Sequence, residues 1–335
     1  MILKKYNKTT IAYLCVMATF SFLWTSCRKD VVSSVDTPSS PTYVDTLVSS
    51  LTVASASSAD SLVAADTLDD GNLLLGNPTE AKHTSDSTTN YLFSTTYYVE
   101  SYSSVRGIPN WVSWHLQSSD IGSVSRSDAF TNYTLLPTGW YQVLSTDYAG
   151  SVTGFDRGHN CPSGDRTSTY VANTTTFYMT NMIPQAPKLN QGPWEGLESK
   201  IRDSIVTNAG NEVYIIMGNY GTGGIGSTST SVTNTITDGY VTVPNHVWKV
   251  VVILSKGSDD LNRIDASTTV LAVDMPNENS LYSTNSAGKT AWRNYITTIN
   301  DIESASEAAG RPLDILSRLS SGTVKTTLKA KIYTD

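Results

Sequence analysis

Cysteine and histidine are both scarce in this 335-residue sequence, with three and four residues respectively. The cysteines are Cys15, Cys27 and Cys161, and the first two lie in or directly after an apolar N-terminal segment. Once that segment is processed, Cys161 has no partner for an intramolecular disulfide. A disulfide-stabilised scaffold is therefore excluded.

The sequence also lacks an excess of positive charge. Lys and Arg total 23 against 30 Asp and Glu, which gives a formal net charge of −7. Removal of an N-terminal leader that carries three lysines and no acidic residue would take this to −10. The balance argues against a broad basic surface that binds nucleic acid. An enzyme that cleaves phosphodiesters is not excluded, because it needs cationic groups only at the scissile phosphate.

The N-terminal apolar run, from Thr10 to Trp24, is shorter than the roughly 20 residues that cross a membrane. It follows three lysines and precedes Thr25-Ser26-Cys27, an order that resembles a bacterial lipobox. Residues 1–26 are therefore predicted to be a lipoprotein signal peptide, with Cys27 lipidated. The protein is expected to lie outside the cytoplasm, anchored to a bacterial membrane such as the outer membrane or exposed at the cell surface. Simple secretion and an uncleaved anchor helix are the alternatives.

Composition divides the rest of the chain into two parts. Residues 27–71 are dominated by Ser, Thr, Val, Ala and Asp without sustained periodicity, and are predicted to form a disordered tether. From residue 72 to 335 aromatic and β-branched residues are spread throughout, with no internal repeat and no Gly/Ser-rich linker. This length is enough for one large domain with a substantial core.

Hydrophobic patterning in this domain indicates an α+β class, a central, mainly antiparallel β-sheet flanked by helices. Clusters of β-branched and aromatic residues predict strands at Tyr91–Tyr98, Trp111–Leu116, Thr176–Asn181, Glu212–Met217, His246–Leu254 and Thr268–Val273. Helices are predicted at Thr290–Ala308 and at Pro193–Val206, where Leu197, Ile201 and Ile205 form an apolar stripe.

The segment Asp156–Arg166 places a histidine beside arginines in a loop shaped by Gly and Pro. An imidazole with a pKa of about 6.5 can take a proton from water at physiological pH, so His159 is the natural general base. A hydrogen-bonded structural histidine is the alternative. Cys161 could instead act as a nucleophile, but the neighbouring arginines suit phosphate better than acyl groups. We interpret Cys161 as a small packing residue.

Three polar residues downstream can complete such a site. Phe177–Gln185 is predicted to return antiparallel to the first strand, and Asn190 follows it just ahead of a helix. Its amide oxygen can coordinate a hard cation. The competing interpretation is that Asn190 is an asparagine of a turn or of the approach to the helix. Glu198 and Arg202 lie four residues apart on one helix face, where the alternative is a solvated surface ion pair.

Taken together, these residues resemble the DNA/RNA non-specific endonucleases of the ββα-metal (His-Me finger) family, which are similar to endonuclease G. The Asp-Arg-Gly-His signature matches Asp156–His159, and the Thr-Asn-x-x-Pro-Gln pattern matches Thr180–Gln185. The Asn…Trp…Glu…Arg block matches Asn190, Trp194, Glu198 and Arg202. The resemblance extends from about Leu73 to Arg318.

The resemblance implies a ββα-metal motif and a divalent cation, usually Mg²⁺ with Mn²⁺ as a substitute. Asn190 would bind the cation directly and Glu198 through water, while His159 activates the attacking water. The expected products carry 5′-phosphate and 3′-hydroxyl ends.

Other residues have supporting roles in this interpretation. Arg157 and Arg202 would neutralise phosphoryl charge, and Arg126 is a weaker third candidate. Asp156 would fix the loop and Asn181 would support the site by hydrogen bonding. DNA and RNA are the expected partners, without sequence specificity. A nuclease-fold lipoprotein that binds without turnover, and a phosphodiesterase for smaller substrates, are the alternatives.

Overall fold

The computed structural model describes residues 64–148 and 150–335. Within these residues, seven strands form one antiparallel sheet with the spatial order β1-β2-β3-β6-β9-β10-β11. Its strands are β1 (Tyr91–Ser94), β2 (Val99–Ser103), β3 (Ile108–Leu116), β6 (Asn211–Tyr220), β9 (His246–Ser255), β10 (Thr269–Pro276) and β11 (Ile296–Thr297). Helices pack against this sheet, which confirms the predicted α+β class.

Two further strand pairs lie outside the main sheet. β4 (Asp156–His159) pairs antiparallel with β5 (Met182–Gln185), and β7 (Thr235–Ile236) pairs with β8 (Val241–Thr242). Helical segments follow β5 in the order Pro187–Leu189, Asn190–Trp194, Glu195–Ser199 and Lys200–Asn208. We call the last two segments together the site helix. β4, β5 and the site helix form the predicted ββα unit.

The remaining helical segments are short. The α-helices are Gly150–Thr153, Tyr170–Thr175, Asp260–Arg263, Ser286–Thr290, Ile299–Ala308 and Thr323–Lys329. Single 3₁₀ turns are Ser118–Asp120, Ser145–Tyr148, Ser163–Asp165, Met179–Asn181, Thr237–Gly239, Asn279–Leu281 and Ala291–Tyr295. Across residues 64–148 and 150–335, no helix has the length and apolarity to cross a membrane.

The central strands of the main sheet are buried on both faces, since their side chains alternate between two apolar clusters. Trp114 and Val251 belong to one cluster, where the site helix contributes Leu197, Ile201 and Ile205 as the predicted apolar stripe. Trp111 and Val250 belong to the other, which the helix Ile299–Ala308 covers. The ββα unit is therefore held on one face of the sheet, which we call the site face.

Two predicted strands differ from the structure. The segment Tyr91–Tyr98 contains the turn between β1 and β2, because Thr95 N donates to Tyr98 O at 3.0 Å and Thr96 adopts a φ of 72°. The segment Thr176–Asn181 is not a strand, and the second strand of the ββα unit begins one residue later, at Met182. The backbone of Thr176–Asn181 instead forms turns, in which, for example, Asn181 N donates a hydrogen bond to Tyr178 O at 2.9 Å.

The predicted helix Thr290–Ala308 is divided into three elements. Ala291–Tyr295 is a 3₁₀ turn, Ile296–Thr297 is the edge strand β11, and an α-helix begins only at Ile299. Thr298 is the reason for the late start, because it forms a capping box with Asp301. The β-branched pair before it favours the strand.

Part of the predicted tether forms hydrogen bonds with the folded domain. Residues 64–71 fall in the predicted tether, yet Asp66 O accepts from Leu73 N at 2.7 Å and Asp70 N donates to the Tyr214 hydroxyl at 3.2 Å. The predicted signal peptide, Cys27 and residues 28–63 lie outside the described part of the chain.

Candidate active site

The structure brings the sequence-predicted residues together in one cleft of about 690 Å³ on the ββα unit. The cleft is lined by Arg126, Asp156, Arg157, His159, Asn190, Glu198 and Arg202 among others. Asn181 is the exception, since it is completely buried beneath the cleft. Residues distant in the sequence converge because β4, β5 and the site helix meet here.

His159 ends β4 with 8% of its surface exposed, against the rings of Phe130 and Phe177 at centroid distances of 5.6 and 4.9 Å. Burial, together with the positive charges of Arg126 and Arg157, lowers the pKa of His159 to about 3. The imidazole is therefore neutral at pH 7, the form that can accept a proton. Among the described residues its Nε2 has no hydrogen-bond partner.

The two arginines nearest the imidazole are held against aromatic rings. Arg157 lies over Phe130 at 3.9 Å from the ring centroid, and Arg126 lies over Phe177 at 4.9 Å. Arg126 also pairs with Asp128 at 2.7 Å and donates to the Ser163 hydroxyl at 3.2 Å. Stacking on aromatic faces fixes each guanidinium, so that the N–H groups not engaged by Asp128 or Ser163 can still donate to an anion.

Asn190 is oriented by Asp156, the first residue of β4. Asn190 Nδ2 donates to Asp156 Oδ2 at 2.9 Å, and Gln191 Nε2 donates to the same oxygen at 2.8 Å. The Asn190 amide nitrogen therefore faces Asp156, whose carboxylate oxygen accepts the hydrogen bond. Its carbonyl oxygen is thus the atom left as a ligand. With the Glu198 carboxylate in the same cleft, the donor set fits a hard divalent cation such as Mg²⁺.

Glu198 and Arg202 do not form the surface ion pair that was the alternative interpretation of their spacing. Arg202 instead pairs with Asp165 at 3.3 Å and with Asp203 at 3.4 Å, while Glu198 lies 3.5 Å from Lys249. Burial raises the pKa of Glu198, and the ammonium group of Lys249 opposes this shift. Both side chains are mostly buried, with 15% and 19% exposed.

Beneath the cleft, Asn181 joins the loop after His159 to the segment before β5. Its side chain donates to Cys161 O at 2.9 Å and Thr176 O at 2.8 Å, and accepts from Cys161 N at 3.0 Å. Gly158 is needed in the same region, because a Cβ there would lie 2.3 Å from the Gln185 Oε1. Cys161 is fully buried and its thiol pKa is raised by burial, so it lacks the thiolate character of a nucleophile.

Sequence reasoning missed several residues that shape the cleft. Phe130 and Phe177 hold the arginines, Asp165 holds Arg202, and Lys249 holds Glu198. The one local signal is Lys249, a lone charge in the otherwise apolar run Val247–Leu254. The partners of the other three lie far away in the sequence, which gives no local pattern.

A second group with metal-ligand side chains lies outside the cleft. Asp70, His115, Glu212 and Asp260 place their ligand atoms within 4.8 Å of one another. Arg263 already pairs with both Glu212 and Asp260, and its guanidinium supplies the positive charge that a cation would bring. None of the four lines the cleft, so this group does not serve the predicted chemistry.

The fold, with a ββα unit that opens onto an arginine-lined cleft, is that of a nuclease. A sequence model of the DNA/RNA non-specific endonucleases matches residues 75–321. The chain therefore belongs to the DNA/RNA non-specific endonuclease family, whose members are hydrolases that act on nucleic acids.

Proteins similar to this chain are named as nucleases. A protein named Nuclease from Nostoc sp. is 38% identical over 260 residues, covering 78% of this chain and 85% of that protein. Mitochondrial endonuclease G from Homo sapiens is 32% identical over 120 residues, covering 35% of this chain and 39% of that protein. A solved structure of EndoG in complex with EndoGI matches 74% of this chain and 91% of its own, with a TM-score of 0.55 and 23% identity. That last likeness shows the fold alone.

Proposed function

We propose that this protein is a metal-dependent endonuclease that hydrolyses phosphodiester bonds of DNA and RNA without sequence specificity. The observation that carries the proposal is the convergence of one neutral imidazole, three guanidinium groups, a carboxamide and a carboxylate in a single cleft. Such a set can supply a base, neutralise phosphoryl charge and hold a cation.

His159 is the general base in this proposal. The attacking water would give its proton to the neutral imidazole of His159, which lines the cleft. The two adjacent arginines, which depress the pKa of His159, are also the groups that a phosphate would neutralise. Substrate binding should therefore raise the basicity of the imidazole at the moment when it is needed.

Arg157, Arg202 and Arg126 would stabilise the charge that accumulates on the phosphoryl oxygens. Arg157 is the nearest in sequence to the base and its guanidinium is braced by Phe130. Arg202, on the site helix, is fixed by its ion pair with Asp165. Arginine suits this role better than lysine, because its planar donors match two oxygens at once.

Asn190, directly, and Glu198, through water, would hold a divalent cation, with Mg²⁺ as the expected ion and Mn²⁺ as a substitute. When bound, the cation would neutralise phosphate charge and stabilise the leaving 3′ oxygen. Asp156 keeps the Asn190 amide turned so that its oxygen is available. The expected products carry 5′-phosphate and 3′-hydroxyl ends.

We further propose that the enzyme acts outside the cytoplasm, anchored by lipid at Cys27 and joined to the anchor by the tether predicted over residues 27–71. The support is the order of lysines, apolar run and Thr25-Ser26-Cys27 in the sequence. Metabolic labelling with a fatty-acid analogue, followed by Cys27→Ala, tests the anchor independently of the chemistry. Labelling of the wild-type chain and loss of label in Cys27→Ala are the expected results, and an unlabelled wild-type chain would count against the anchor.

Digestion of plasmid DNA and of RNA by the full chain tests the proposed activity. We expect cleavage of both in Mg²⁺ and in Mn²⁺, and none in EDTA. Intact substrates in every metal, with metal-independent binding, would support the binding lipoprotein instead. Cleavage of small phosphodiesters with polymers left intact would support the smaller-substrate phosphodiesterase.

A further inference from the structure

A lysine is buried behind the cleft, in the centre of the main sheet. Lys249 lies in β9 on the site face with 1% of its surface exposed. Its register partners are Met217 on β6 and Val273 on β10, both fully buried. An unpaired charge at such a position costs several kcal/mol, so its presence requires a partner.

That partner is Glu198 of the site helix, whose Oε1 lies 3.5 Å from the Lys249 Nζ. Within residues 64–148 and 150–335, Lys249 forms no other ion pair. The indole rings of Trp194 and Trp114 flank the ammonium group at 4.7 and 5.5 Å from the ring centroids. The ammonium group is thus held from the sides by aromatic faces and in front by a single carboxylate.

Arg202, the other cation near Glu198, is already paired with Asp165, which leaves Lys249 as the ion-pair partner of Glu198. Arg202, one turn further along the site helix, is occupied by Asp165, which also accepts from Trp114 Nε1 at 3.0 Å. Gly164 permits this arrangement, because a Cβ there would lie 2.5 Å from the Arg202 Nη1. Lys249 is therefore the cation that pairs with Glu198 and Asp165 is the carboxylate that pairs with Arg202, although the charges of Lys249 and Arg202 act on both carboxylates.

We propose that Lys249 is a positioning residue that fixes the Glu198 carboxylate in the cleft, so that the carboxylate can hold the waters of the bound cation. This inference rests on the proposed function. Stability alone does not account for the pair, since an apolar pair of similar volume is often at least as stable in a core. Residues that orient metal ligands typically change metal affinity or activity by about 10- to 100-fold when replaced.

The test measures Mn²⁺ binding by electron paramagnetic resonance in the full chain without substrate, beside Mg²⁺ titrations of activity. Lys249→Met should weaken Mn²⁺ binding by about 10-fold or more, by a factor close to that of Glu198→Gln. Lys249→Arg should restore part of the loss. Lys200→Met is the matched control, because Lys200 lies on the site helix, pairs with Asp335 and does not line the cleft.

A double variant separates positioning from general packing. In the Glu198→Gln background, Lys249→Met should cause no further loss of Mn²⁺ binding, and removal of both charges leaves no unpaired ion in the core. If Lys249→Met alone does not fold, the comparison of the double variant with Glu198→Gln tests the proposal. Additive losses, or an affinity of Lys249→Met equal to that of Lys200→Met, would overturn the proposal. Failure of the wild-type chain to cleave nucleic acid would instead count against the proposed function.

Discussion

The carboxylate of Asp156 accepts a hydrogen bond from the Asn190 amide at 2.9 Å, joining the first strand of the ββα unit to the segment that precedes the site helix. This contact sets which atom of Asn190 is available to a cation. Asp156 thus belongs to the chemistry indirectly, through orientation, as its position in the Asp-Arg-Gly-His segment indicates.

Asp156→Ala should therefore impair Mg²⁺-dependent activity more than it lowers the stability of the fold. The Asn190 amide loses its fixed orientation, and we expect the Mg²⁺ concentration for half-maximal activity to rise by about 10-fold or more. Asp156→Glu should be milder, because it retains an acceptor. Mg²⁺ titrations of DNA cleavage check this, with thermal melting as a control. An unchanged Mg²⁺ dependence in Asp156→Ala would contradict the role.

Phe130 should contribute to turnover through Arg157. Loss of the ring in Phe130→Leu removes a cation–π contact worth about 0.5–2 kcal/mol, so kcat/KM should fall by roughly 2- to 30-fold. Phe130→Tyr keeps the aromatic face and should lose less. Steady-state kinetics on DNA distinguish the two variants. Equal losses in both would show that packing, rather than the aromatic face, is what matters.

Cys161 should be dispensable for the reaction. Burial raises the pKa of its thiol, so the native chain should not react with a thiol reagent until it is unfolded. Cys161→Ala should retain most of the activity, with a modest loss of stability from the small cavity. Thiol titration before and after denaturation, and cleavage assays with the variant, check both points. Abolished cleavage in a folded variant would restore the nucleophile hypothesis.

Glu100 predicts a pH dependence of stability. It is completely buried on β2, beside the Thr180 side chain, which only partly opposes the effect of burial on its pKa. Burial raises the pKa of Glu100 from 4.5 to about 8. As pH rises from 4.5 towards 8, the unfolded chain ionises this group while the folded chain keeps it protonated. The free energy of unfolding therefore falls through this window.

Glu100→Gln should remove this contribution. The stability difference between Glu100→Gln and wild type should move in favour of the variant between pH 5 and pH 8, as measured by urea denaturation at both pH values. A constant difference across that range would show that Glu100 is already ionised in the fold. Activity should be unaffected at low pH, because Glu100 does not line the cleft.

Local patterns in the sequence predicted much of this fold. Apolar β-branched runs located β3, β6, β9 and β10, and the stripe of Leu197, Ile201 and Ile205 located the site helix. The predicted boundaries that were wrong depend on single hydrogen-bonded residues. The bond between Thr95 and Tyr98 divides one predicted strand, and the capping box at Thr298 delays one predicted helix.

In the candidate site, too, residues within one motif could be predicted from the sequence, whereas residues that act through tertiary contacts could not. Residues within one motif, such as Arg157 and His159, were predicted because their spacing carries the information. Lys249 and Asp165 were not, because each acts on a site-helix residue through tertiary packing that no spacing encodes. The resemblance to a known family supplied roles for Asn190 and Glu198 that composition and periodicity alone left open.

The most direct test of the central claim compares wild type with His159→Ala on plasmid DNA in Mg²⁺, followed by analysis of the product ends. Loss of the base should lower the cleavage rate by about 10²- to 10⁴-fold. The wild-type products should carry 5′-phosphate and 3′-hydroxyl groups, and the variant should stay folded with a modestly lower melting temperature from the cavity left beside Phe130 and Phe177. Cleavage by His159→Ala at the wild-type rate would contradict the account.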